Sequence, residues 1–133
     1  MNFYIASSFA NVEAVSVVGE KLNQLGYVQT YDWTLNGRAS TIGQLQKIGA
    51  YERQAVLAAD FVVVLLPAGK DSHIEMGIAL GANKKVYLHS LTDAVMDVET
   101  TSTFYHLPEV EIVIGSLDDL VEAICTEKLG LEG

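Results

Sequence analysis

The chain has 133 residues, half of them hydrophobic, and eight basic against seventeen acidic residues give a net charge of -9 at pH 7. That length suits one core rather than two, and the charge opposes the counterion release that drives binding to nucleic-acid polymers. A single cysteine, Cys125, excludes a disulfide framework and a thiolate metal cluster, and His73, His89 and His106 lack close ligand spacing.

The expectation is one globular unit over 1–133. The start MNFYIASSF has no basic leader and no long apolar stretch, and no window approaches the roughly 18 apolar residues of a membrane helix. A protein of the reducing cytoplasm, with no membrane partner, fits these features. NFYIA at 2–6 reads as the first strand. Ser7 and Ser8 follow in a turn where small side chains either let a ligand approach the backbone or merely connect strand to helix. Val15, Val18, Leu22 and Leu25 then recur at 3/4/3 spacing, with Gly26 where a helix stops. YVQTY at 27–31 is the second strand, and Tyr31 and Trp33 flank Asp32 at its end. An aromatic residue there stacks on a planar base, fills the core or meets a second subunit.

A helix is predicted over 42–58, with an apolar stripe of Leu45, Ile48, Ala55, Val56 and Ala59. Glu52 lies on that stripe, four residues after Ile48 and three before Ala55. A carboxylate on an inward face is expensive to bury alone. Either this part of the helix reaches a solvent-filled cleft, or Glu52 pairs with Arg53 or Arg38. DFVVVLL at 60–66 is apolar throughout, as in a strand covered on both faces. The turn PAGKDSH leads into a helix with Ser72 as the expected N-cap, whose free N–H groups would face the strand ends and welcome an anion or a polar sugar. Ser72-His73-Ile74-Glu75 also matches the capping box S-x-x-E, in which Glu75 only folds back on the helix end.

Two acids near one cleft are, on the other reading, what glycosidic chemistry requires, one as nucleophile or general base and one to handle protons. Gly77 and Gly81, four apart on the same helix, are expected to let it lie close to the sheet. KVYLH at 85–89 and VEIVI at 110–114 are the last strands, joined by a long segment with one helical turn after Thr92. Leu117, Leu120, Val121 and Ile124 form a closing helix opened by Ser116 with Asp119 three residues on. Five strands alternating with helices imply a three-layer α/β sandwich of flavodoxin- or Rossmann-like kind, a five-stranded parallel sheet with helices on both faces. Ligands in such folds bind outside the carboxyl ends of the strands.

The strand DFVVVLLP, the turn AGKDSH and the segment IEMGIALGANKKVYL resemble the signature of the nucleoside 2-deoxyribosyltransferase superfamily, including its 2′-deoxynucleoside 5′-monophosphate hydrolases. With FYIASSF and an acid eight residues before Asp60, the likeness reaches to about His89. It implies that Glu75 is the nucleophile at the anomeric carbon, that Glu52 stands where the family has a base- or sugar-contacting aspartate, and that Tyr4 orients the nucleophile. Ser7 and Ser8 replace the usual Gly-rich turn, and Gly69 replaces a polar residue whose part passes to Asp71 or Ser72. The resemblance further implies a nucleoside or nucleotide substrate, no metal or other cofactor, and a homo-oligomer in which the TFYH segment could meet the neighbouring subunit. An NAD-type glycohydrolase and a non-catalytic nucleotide sensor are the rival readings. A flavodoxin-like electron carrier is disfavoured, because the first turn lacks a hydroxyl- and glycine-rich phosphate loop.

Overall fold

The computed structural model describes the backbone of residues 1–132 and the side chains of residues 1–126. Strands β1 (Asn2–Ala6), β2 (Val28–Gln29), β3 (Phe61–Leu65), β4 (Lys85–Ser90) and β5 (Val110–Ile114) form one parallel sheet in the order β2-β1-β3-β4-β5. Helices α1 (Val12–Gln24) and α4 (Leu117–Glu132) pack together on one face, and α2 (Ile42–Ala58) and α3 (Lys70–Gly81) on the other. This is the expected three-layer sandwich. Chain order reverses between β1 and β3, so a crevice opens above their carboxyl ends.

β3 is buried at every residue, as its β-branched run on two covered faces requires. Register sets Tyr4 beside Val62 and Val62 beside Val86 on the face under α2 and α3. α1 buries Val15, Val18 and Leu22. It ends where Gly26 adopts φ +94 and the Tyr27 N–H reaches the Leu22 carbonyl, a closure only a residue tolerant of positive φ allows. α3 closes the same way through Asn83 at φ 59, with Lys84 N–H bonded to the Ala79 carbonyl. Ser116 and Asp119 exchange hydrogen bonds of 3.0 and 2.9 Å ahead of α4, the predicted capping box.

Three expectations change. The second strand shrinks from 27–31 to Val28–Gln29, because Asp32 caps a short 3-10 turn at Trp33–Leu35 and draws the chain off the sheet edge. The segment from Leu91 to Pro108 holds two 3-10 turns, Asp93–Met96 and Thr103–His106, the first being the turn foreseen after Thr92. Gly77 and Gly81 do not seat α3 on the sheet. Both are exposed, and a Cβ added at either meets nothing within 4 Å. Among the described residues no helix is long and apolar enough to cross a membrane.

Candidate active site

α3 begins three residues earlier than its sequence suggests. Gly69 is the N-cap, and Ser72, nearly fully buried, sits inside the first turn where its hydroxyl accepts from the Gly69 N–H at 3.3 Å. Ser72 thus supplies the one side-chain bond to the N-cap amide, Gly69 having no side chain to return it, and Glu75 is freed from that role. Pro67 and Gly69 disfavour helix up to that point, whereas Ser72 is equally at home as an N-cap or as the residue that answers one. Glu75 lies in the second turn, beyond the strongest reach of the helix N-terminus.

Glu75 is 7% exposed and points toward β1. The Tyr4 hydroxyl, fully buried in mid-strand, donates to Glu75 Oε2, and Glu52 Oε2 of α2 lies 3.3 Å from the same phenol oxygen. Three elements far apart in sequence thereby converge on one oxygen. The phenol brings a single proton for two carboxyl groups, so close contact among all three is held best when one carboxyl carries a further proton. Burial pushes Glu75 up to about 8; the Tyr4 hydrogen bond pulls against this, while Glu52 and, one helical turn before it, Asp71 push the same way as burial. Burial and the two carboxylates also raise Tyr4. Burial and the neighbouring carboxylates therefore favour the protonated form of Glu75. Among the described residues Glu52 has no ion pair with Arg53 or Arg38; its partner is Tyr4.

The remaining candidates lie around this cluster in different states. The Ser7 hydroxyl donates to the Leu65 carbonyl at 2.8 Å and accepts from Asn11 Nδ2, and the Ser8 hydroxyl donates to the Pro67 carbonyl at 3.3 Å. They staple the end of β1 to the end of β3, which fixes the crevice. Asp71 is exposed at the start of α3. Trp33 is a core residue, not an open stacking surface: it is 4% exposed, its indole N–H donates to the Ile5 carbonyl at 2.7 Å, and Phe9 packs edge-on against it. The solvent-facing ring beside it is Phe9, 65% exposed, which nothing in the sequence distinguished. His73 Nδ1 meets the Gly69 carbonyl and Nε2 meets the Tyr105 hydroxyl, both at 2.7 Å. The TFYH segment is thus tied to the first turn of α3 within the same chain, a link no local pattern announces.

Two grooves elsewhere, one between α1 and β2 lined by Ser16, Gly19, Asn23 and Gln29, the other beside α4 lined by Glu111, Asp119 and Glu122, contain neither Glu52 nor Glu75. Neither groove joins a proton-sharing acid pair to a buried phenol, so the crevice above β1 and β3 is the better candidate site.

A scan against protein-family models gives no match, and no curated protein matches the sequence. Among solved structures, a CMP N-glycosidase of Clostridium botulinum superposes with a TM-score of 0.61 over 94% of this chain and 99% of its own, at 14% identity. A conserved protein of Enterococcus faecalis V583 superposes with a TM-score of 0.66 over 96% of this chain and 98% of its own, at 18% identity. The chain therefore has the fold of a CMP N-glycosidase along nearly its whole length, and at these identities the likeness speaks for the architecture.

Proposed function

We propose that this protein cleaves the N-glycosidic bond of a nucleoside or nucleotide through a covalent glycosyl-enzyme formed on Glu75. The observation that carries the reading is the single buried phenol, Tyr4, that gathers Glu75 and Glu52 beneath the crevice between β1 and β3. Carboxyl groups this close fit a retaining double displacement, whereas inversion needs room for a water between them. The CMP N-glycosidase that shares the fold supports the choice of bond.

In the first step a Glu75 oxygen attacks C1′, the C1′–N bond breaks through an oxocarbenium-like state, and the base departs with the bonding electron pair. Glu75 must be ionised to attack. Its proton is lost to solvent, and Glu52, held at the same phenol, is placed to orient the departing base, which takes its own proton from solvent. Water, or a second base in a transferase, then attacks C1′ and frees Glu75. Tyr4 positions the nucleophile and steadies its charge with its hydrogen bond. Asp71, Ser72 and Gly69 at the start of α3, with Ser7 and Ser8 opposite, form the polar border where the sugar would rest. A homo-oligomer belongs to this reading, supported by the outward side of α3, where Ile74 is exposed and Gly77 and Gly81 leave open space.

A second reading, a nucleotide-binding domain without turnover, draws on the protonated form of Glu75 that burial favours. Chromatography of free bases decides between them, with nucleosides, deoxynucleosides, their 5′-monophosphates and NAD as substrates for wild type and Glu75→Ala. Release by wild type alone supports the glycosidase. Release from NAD alone moves the assignment to an NAD glycohydrolase, and no release from any substrate by folded wild type leaves the binding domain.

A further inference from the structure

α2 runs antiparallel to the strands, as a crossover between parallel strands β2 and β3 must, so its N-terminal half lies toward the carboxyl ends of the sheet. Its inward stripe changes character along its length. Ala55 and Val56 are buried and Glu52 is half-buried, but every residue from Thr41 to Lys47 is exposed and Ile48 only partly covered. Leu45 and Ile48 stand seven and four residues before Glu52, on the same side of the helix, so they continue the Glu52 face past the end of the sheet. The helix rise carries them from the level of Glu52 toward the carboxyl ends of the sheet, and Leu45 is 56% exposed.

We infer that Leu45 and Ile48 form the apolar wall on which the base of the substrate rests, making them specificity-determining residues for the cleavage. This rests on the reading of Glu75 as the nucleophile. A displacement at C1′ sends the leaving group away from the attacking atom, and Glu75 attacks from α3. α2 packs beside α3, and Glu52 shares the Tyr4 hydroxyl with Glu75, so the Glu52 side of α2 borders the space through which the base leaves. A planar base fits against a flat aliphatic surface, with its polar edge toward Glu52 one turn below Ile48. A second copy of the chain is the rival occupant. Ile42, 80% exposed and three residues before Leu45, ends the same stripe in the first turn of α2, farthest from Glu52.

The test uses the full chain carrying Glu75→Gln, which halts turnover, with cytidine, deoxycytidine and adenosine 5′-monophosphates as probes. Titration followed by methyl NMR is expected to shift the Leu45 and Ile48 methyl signals. Leu45→Ala and Ile48→Ala are expected to weaken binding about tenfold each, as loss of a few methylene contacts from an apolar subsite does, while Ile42→Ser leaves it unchanged. Base release by wild type is measured separately. Methyl shifts without turnover sink the glycosidase reading and keep the wall. Turnover without methyl shifts, or with Leu45→Ala binding like its parent, overturns the wall alone. A panel in which nothing binds overturns it as well, and so does a Leu45→Ala that turns a dimer into a monomer while binding is unchanged.

Discussion

Replacing Glu75 by glutamine should stabilise the protein more as the pH rises, while removing the nucleophile. In the unfolded chain the carboxyl gives up its proton near 4.5, and in the folded protein near 8. A raised carboxyl means the native state holds a proton that the unfolded state has lost. The Glu75 contribution is therefore intact below about pH 4.5 and is lost as pH climbs toward 8. At pH 7 the linkage between those two values comes to roughly 3 kcal/mol, a ceiling, since Glu52 shares the proton. Glutamine keeps an oxygen for the Tyr4 hydroxyl, offers Glu52 a donor and never ionises. Urea unfolding of wild type and Glu75→Gln at pH 5, 7 and 9 reads the difference directly. Repulsion from the charge of -9 is nearly common to both and largely cancels. The expected result is near equality at pH 5 and an advantage for the variant approaching 3 kcal/mol at pH 7, about 10 °C in Tm for a chain of this size. Parallel stability curves for the two proteins from pH 5 to 9 would refute the buried shared proton.

Three further outcomes follow from the same cluster and its surroundings. In base-release assays, kcat/KM for wild type should rise with pH through about 8 as Glu75 ionises, and Glu52→Gln should move that limb to lower pH by removing a like charge and its hydrogen bond. A limb left in place would assign the whole effect to burial. Tyr4→Phe removes the one contact that favours ionised Glu75, so its limb should move to higher pH and the rate at pH 7 fall by about 10²-fold; a rate within threefold of wild type, with an unmoved limb, would show that the phenol does not position the acid. Trp33→Phe leaves the Ile5 carbonyl without its indole donor and should cost about 1–3 kcal/mol in denaturant unfolding. Its KM for any cleaved nucleotide should stay that of wild type, and a large rise in KM at unchanged stability would return Trp33 to the substrate's path.

Most of the fold was legible because it rests on local periodicity. The β1, β5 and α2 boundaries match the reading from apolar spacing, since a strand alternates or is apolar throughout and a helix repeats at 3.6 residues whatever lies beyond it. The errors fall where local chemistry is degenerate. Ser72 fits two positions of one helix end, and choosing the wrong one turned Glu75 into a cap in one of the two readings. Gly77 and Gly81 signal close approach without saying to what, and α3 turns them outward. Trp33, an aromatic at a strand end, is compatible with stacking or with a core, and the Ile5 carbonyl decided for the core.

The site divides along the same line. The sequence by itself determined that Glu52 occupies an inward position, because helical phase depends only on neighbours within a few residues, and resemblance to a family marked Glu75 and Tyr4. Only the tertiary structure decided that the three meet. Tyr4 is 48 residues from Glu52 and 71 from Glu75, and their convergence depends on β1 lying beneath both α2 and α3. The protonation of Glu75 is likewise a tertiary property. A carboxyl's affinity for its proton answers to desolvation and to charges within a few ångströms, and neither exists until the sheet order brings α2 and α3 over one strand.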